Sequence, residues 1–190
     1  SHDGVHFEDI WSANAQEDFG SPSIERSCLI QTQEGTFRLY TSFVDGETNR
    51  WRIDLIEAER PQDLDPRARR KIFSAEDIDS EGIKDPWVMV MGGITYLFAG
   101  YGPRSTITSG STEEDLHGAG NVFVTGRIKH PTGLAISRDG VRFQWVGDII
   151  LPGSGWDRGV ARMSCLAYVP PVFYLFYDGR TGVDDFYEDL

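Results

Sequence analysis

The heptad SHDGVHF at residues 1–7 returns as SRDGVRF at residues 137–143, and no other feature constrains the fold of this chain as tightly. Self-similarity at a fixed offset marks one supersecondary unit used more than once, so the period comes before any single element. A second echo shares the offset, because SCLIQTQEGTFRLY at 27–40 resembles SCLAYVPPVFYLF at 164–176. Ser1 to Ser137 spans 136 positions, Ser27 to Ser164 spans 137, and Leu39 to Leu175 spans 136. A third copy of the aromatic part, GGITYLFAGYG at 92–102, sits between them, with Leu97 lying 58 positions after Leu39 and 78 before Leu175. The longer interval holds a Gly-, Ser- and Thr-rich insertion at residues 103–131. The offset of 136 therefore reads as two units of 68, the second enlarged by a loop.

Each unit is a series of short strands. Apolar and polar residues alternate at 24–31, 37–43, 50–58, 95–99, 132–136, 141–146 and 172–177, and Gly, Asn, Asp or Pro bound these runs. A further strand is expected at 71–75. EGT, DGETN and RDG supply the tight turns. Helix signals are nearly absent, and residues 66–72 make one turn at most. Four antiparallel strands per unit, repeated radially, describe the blades of a β-propeller. The expected fold is all-β, with the chain one partial propeller domain. Residues 1–10 read as the outer strand of a preceding blade. Residues 22–76 form a blade, residues 82–148 a blade carrying the insertion, and residues 157–190 the start of a further one. Propellers close with four to eight blades, so the two and a half to three blades expected here need completion. The rest of a longer propeller in the same polypeptide is favoured over another chain. The insertion is expected to lie over the channel mouth and to move relative to the blades.

A net charge of −12 argues against a nucleic-acid partner, whose phosphates such a surface repels, and suits a neutral or cationic ligand. No run approaches the roughly 20 apolar residues of a membrane span, and nothing assigns a compartment. Cys28 and Cys165 occupy matching places in two units and are read as buried free thiols. No CxxC or His-rich spacing points to a metal, none of His2, His6, His117 and His130 is assigned a ligand role, and no cofactor is implied.

Chemistry is expected where the innermost strands begin. SPSIERSCL, GIKDPWVMV and GVARMSCLA deliver Glu25, Asp85 and Arg162 to that place. Counting from the repeat anchors puts the three an even number of residues apart, hence on one face. An ion-pair cluster that merely ties the blades together is the equal alternative. Trp87, Tyr101 and Trp156 are candidates to stack on a sugar, although rings of this kind more often pack blades.

KDPWVMVMGGITYLFAGYG, followed by TGLAISRDGVRFQWVG, resembles the second-blade region of the five-bladed β-propeller glycosidases, glycoside hydrolase families 32 and 43. FYLFYDGR at 173–180 is similar to second strands of the same superfamily. The resemblance implies five blades, action on a glycosidic bond of a carbohydrate, and a role for Asp85 in steadying an oxocarbenium-like transition state or tuning the acid. It also implies a general-acid Glu one blade later, where this chain reads GWDRGVARMSC, with Arg162 and no Glu. Glycoside hydrolysis needs two carboxyl groups, about 5–5.5 Å apart for retention and about 6.5–9.5 Å for inversion. Glu25 is the candidate partner of Asp85, an acid outside the chain is the alternative, and Asp157 is the reserve. Arg162, the candidate substrate-binding cation, would keep neighbouring carboxylates ionised. A non-catalytic propeller that binds a carbohydrate or a protein through the same mouth is the rival reading.

Overall fold

The computed structural model describes residues 1–118 and 120–182. Two four-stranded antiparallel sheets and one two-stranded sheet make up the framework. The first sheet runs in chain order through β1 (Ile24–Gln31), β2 (Phe37–Val44), β3 (Trp51–Ala58) and β4 (Arg70–Phe73). The second contains β5 (Ser80–Met91), β6 (Ile94–Pro103), β7 (Thr132–Ser137) and β8 (Gln144–Ile150), again in order. The third is the hairpin of β9 (Val160–Val169) and β10 (Val172–Arg180). Among the described residues the two α-helices, α1 (Ala15–Phe19) and α2 (Glu113–His117), have five residues each, so β-structure dominates as expected. The residues between β5 and β6 show why the hairpins are tight. Gly92 and Gly93 both take positive φ, +60° and +75°, which two-residue turns of the favoured twist require.

The two copies of the heptad fold into the same turn. Asp139 Oδ1 accepts the Val141 and Arg142 amides at 2.9 and 2.8 Å, and Ser137 Oγ accepts the Gly140 amide at 2.9 Å. Asp3 Oδ1 accepts the Val5 and His6 amides, both at 2.9 Å, and Ser1 Oγ accepts the Gly4 amide at 2.9 Å. Gly140 and Gly4 share positive φ of +69° and +73°. What differs is the support. Tyr40 Oη donates to the Gly140 carbonyl at 2.7 Å, and Phe143 sits 6.1 Å from the Tyr40 ring. Phe7 is 77% exposed. No strand follows the first copy, so residues 1–10 do not form the expected outer strand. After the second copy the strand begins at Gln144, because residues 141–143 are spent in the turn.

The main core lies between the first two sheets. Tyr40, Ile53, Leu55 and Phe73 pack against Ile83, Val88, Leu97 and Ala135. The other face of the first sheet is covered by the N-terminal segment, where Phe19 and Trp11 meet Phe43, Ile56 and Leu64. The Trp11 indole donates to the Leu64 carbonyl at 2.7 Å. The insertion between β6 and β7 makes a third core. Leu116, Val122, Phe123 and Ile128 pack on Val44 and Trp51 of the first sheet. Four buried apolar side chains anchor it, so it is a packed wedge and not the loosely moving loop expected from its composition. The hairpin β9–β10 docks through Thr132, whose hydroxyl donates to the Ala161 carbonyl and accepts the Met163 amide at 2.8 and 2.9 Å. Both cysteines are free thiols. Cys28 is partly buried against Val88, whose amide it accepts at 3.2 Å, whereas Cys165 is exposed on the hairpin, contrary to the burial expected of it.

Candidate active site

The first strand of the second sheet, β5, adjoins the first strands of the other two, β1 and β9. Their bulges build the site. The β1–β2 register shifts between Glu25 and Ser27, and the β5–β6 register shifts between Lys84 and Trp87. Arg26 and Asp85 therefore stand at bulges and both take positive φ, +35° and +58°, a conformation costly for residues with a side chain. Pro86, which follows, carries no amide hydrogen and so needs no ladder acceptor at the bulge. Ser42 joins the two bulges. Its hydroxyl donates to the Glu25 carbonyl at 2.5 Å and accepts the Asp85 amide at 3.3 Å.

Asp85 sits at the bottom of a charged cluster, its side chain 1% exposed. Oδ2 accepts from Arg162 Nη1 at 3.0 Å. Oδ1 is buried and has no hydrogen-bond partner among the described residues, the Arg26 Nε lying 4.0 Å away. Arg162 also holds Asp178, its cross-strand neighbour on β10, with Nη2 2.5 Å from Oδ2. Burial works to raise the Asp178 pKa, but hydrogen bonds and charge from Arg162, with Arg26 behind them, outweigh it and lower the value. Arg26 is 45% exposed and Asp178 35%, so the outer members of the cluster reach solvent while Asp85 lies beneath them.

Glu25 goes elsewhere. Its carboxylate pairs with Lys84, whose buried ammonium lies 4.4 Å from the Trp51 ring centre and 5.5 Å from that of Phe123. The even spacing expected to align Glu25 with Asp85 is broken by the two bulges, each of which uses up residues without a cross-strand partner. Asp157 and Trp156 lie on the other side of the hairpin. Tyr177 Oη donates to Asp157 at 3.1 Å and stacks on Trp156 at 5.5 Å, whereas Asp178 points to the opposite face. Tyr101 is buried, its ring 5.0 Å from Trp145 and its hydroxyl 2.5 Å from Asp148. Trp87 packs on Phe98 at 5.8 Å. Of the seven candidates, Asp85 and Arg162 are brought together. Arg26, Ser42 and Asp178 complete the cluster, and only the cross-strand pairing of Asp178 with Arg162 could have pointed to one of them beforehand.

Beside the cluster lies His130, 2% exposed and stacked on Phe123 at 4.1 Å. Burial, then the charges of Arg162, Lys84, Arg180 and Arg26, lower its pKa well below the usual histidine value, so it is neutral. Further out, Glu81, Glu113 and His117 bring three ligand atoms within 4.8 Å of one another. Arg50 and Arg104 already occupy both Glu81 oxygens, at 3.0 and 2.7 Å, and their charge opposes a metal ion there.

No protein-family model matches this chain, and no curated protein sequence matches it. Solved structures do align with it. An α-L-arabinofuranosidase from Lactobacillus brevis superposes with a TM-score of 0.56 at 13% identity, over 88% of this chain and 48% of that one. A β-1,2-mannobiose phosphorylase from Listeria innocua, in complex with β-1,2-mannobiose, gives 0.54 at 17% identity over 83% and 37%. A structure from the GH130 family of mannoside phosphorylases, described as containing glycoside hydrolases that target β-1,2 mannosidic linkages in Candida mannan, gives 0.54 at 15% over 94% and 49%. The likeness is one of fold. The two four-stranded sheets and the hairpin are consistent with part of a propeller, and the chain spans about half the length of those structures or less.

Proposed function

We propose that this chain forms part of a propeller glycosidase of the family 43 or 32 kind and that Asp85 acts in its reacting site. The observation that carries the reading is the state of Asp85. Its backbone is strained, its carboxylate is buried, and one carboxylate oxygen lacks a hydrogen-bond partner among the described residues, on the strand that adjoins both β1 and β9. A carboxylate serving only as a tie between blades is expected to use both oxygens, since an unmade hydrogen bond on a buried group costs about 1–3 kcal/mol. Held this way, Oδ1 is available to positive charge developing on a sugar ring in an oxocarbenium-like transition state. Arg162 and Asp178 are positioning residues in this scheme. Glu25 is engaged with Lys84 and Asp157 lies across the hairpin, so the second carboxyl group comes from another part of the ring.

The test is Asp85→Asn, in which asparagine keeps the shape and tolerates the positive φ. With the complete protein and aryl α-L-arabinofuranosides or aryl β-mannosides, turnover is expected to fall by about a hundredfold or more with Tm little changed. A lowered Tm with unchanged turnover makes the cluster an inter-blade tie. Retained glycan binding by a wild-type protein that turns over no glycoside favours the binding propeller instead.

A further inference from the structure

A cleft of about 270 Å³ opens where the insertion meets the hairpin, and its walls carry Arg127, Lys129, Arg158 and Arg180, with no acidic residue among the described lining residues. Of the 18 Lys and Arg in a chain of net charge −12, four line this one small space. Elsewhere the cations of the chain are largely spent on carboxylates, as with Arg52 on Asp45 and Asp54 or Arg104 on Glu81. Here they are not. Lys129 and Arg158 make no ion pair among the described residues, Arg127 has only Asp115 at 3.9 Å, and Arg180 donates to the Phe123 carbonyl at 2.5 Å. Four like charges gathered with only Asp115 as counter-charge among the described residues repel one another, an arrangement that an anion would relieve. The Thr108 hydroxyl adds a neutral donor.

The cleft also has a fixed relation to Asp85. Val160 and Arg180 border it, and they are cross-strand partners on the hairpin. Two residues further along the same strands stand Arg162 and Asp178, also partners, which hold Asp85. Two residues is one pleat period, so both pairs face the same way, roughly 7 Å apart along the strand.

We propose that this cleft is an oxyanion subsite, taking the carboxylate or phosphate of an acidic saccharide whose ring extends toward Asp85. The saccharide frame rests on the sugar-acting reading above, whereas the oxyanion preference rests on the four cations alone. Arg158 and Arg127 would supply paired donors to a planar carboxylate or to a phosphate, and Lys129 a point charge.

Isothermal titration of the complete protein with glucose, glucuronate and glucose 6-phosphate tests it. At low salt, glucuronate or glucose 6-phosphate is expected to bind at least about tenfold more tightly than glucose, with the preference weakening as salt rises. The tighter of the two identifies the carboxylate or the phosphate as the group recognised. Arg158→Gln and Lys129→Gln, both exposed side chains, should each remove most of that preference at unchanged Tm. Asp85→Asn should leave it intact, so glucuronate binding by a protein without glycosidase activity supports the subsite while sinking the proposed function. Equal affinity for all three probes, or a preference that survives both glutamine variants, overturns the proposal even if neutral glycosides are hydrolysed.

Discussion

His130 couples the stability of this protein to pH. Its ring is wedged between Phe123 and the backbone of Gly100, where a Cβ would come within 2.2 Å of Nε2. Protonating it would bury a fifth positive charge beside Arg162, Lys84, Arg180 and Arg26. The folded pKa is depressed and the unfolded value is about 6.5. The unfolded chain thus takes up a proton that the folded one refuses. Stability is whole above about pH 6.5 and falls as the pH drops, by at most about 1.4 kcal/mol per pH unit for this one group. Urea titrations between pH 7 and 5 should show this slope, and His130→Gln should abolish it whatever that variant does to stability at pH 7. An identical slope in both proteins would remove His130 from the account. The aspartates of the repeated turn act in the same sense at lower pH, because the folded chain again binds fewer protons than the unfolded one. Amide hydrogen bonds from Arg142 and Val141 hold Asp139 well below the usual carboxylate range, and those from His6 do the same for Asp3.

Among the elements, the insertion at residues 103–131 touches all three sheets. Its Asn121 accepts from the Trp51 indole at 3.1 Å, its His117 carbonyl accepts from Asn49 at 2.9 Å, and its Phe123 carbonyl accepts from Arg180. First sheet, second sheet and hairpin all touch it, with His117 meeting Glu81 of β5 at 2.9 Å. Phe123 is the pivot, since its ring supports His130 and Lys84 and fills the small core against Trp51. Phe123→Ala is expected to cost about 3–5 kcal/mol. Hydrogen exchange should then rise first in residues 103–131, with the main core of Tyr40, Leu55 and Leu97 still protected. Uniform loss of protection across both four-stranded sheets would show that the insertion is not a separate packing unit.

At the scale of the whole molecule the hairpin stands out. Tyr168, Val169, Phe173, Tyr174 and Phe176 are all more than two-fifths exposed on two strands. A sheet with so much apolar surface in water, and with an edge strand open to pairing, tends to add a neighbour. The 190-residue chain on its own should therefore self-associate with rising concentration in sedimentation experiments, and Phe176→Lys should shift it toward monomer. A chain that stays monomeric at high concentration without that change would count against the hairpin as a docking surface.

Sequence by itself determined the local grammar of this protein. Alternation and turn residues located the strands of the first sheet almost to the residue, and the heptad at residues 1–7 and 137–143 encodes one turn twice, because the hydrogen bonds that the two copies share run between residues at most three apart. The same locality made Asp85 legible, through its place before Pro86 and at the head of a strand. Only tertiary structure decided what lay beyond that reach. Two bulges reset the facing of Glu25 and Asp85, and alternation has no means of showing where a register slips. Phe143 is packed and Phe7 exposed because one turn rests on a neighbouring sheet and the other does not. Arg26 comes from β1, and Arg162 and Asp178 from the distant β9–β10 hairpin, and they meet at Asp85 through the packing of the sheets. The cations of the cleft likewise gather from residues 127–129, 158 and 180, a local positive charge that a net charge of −12 conceals.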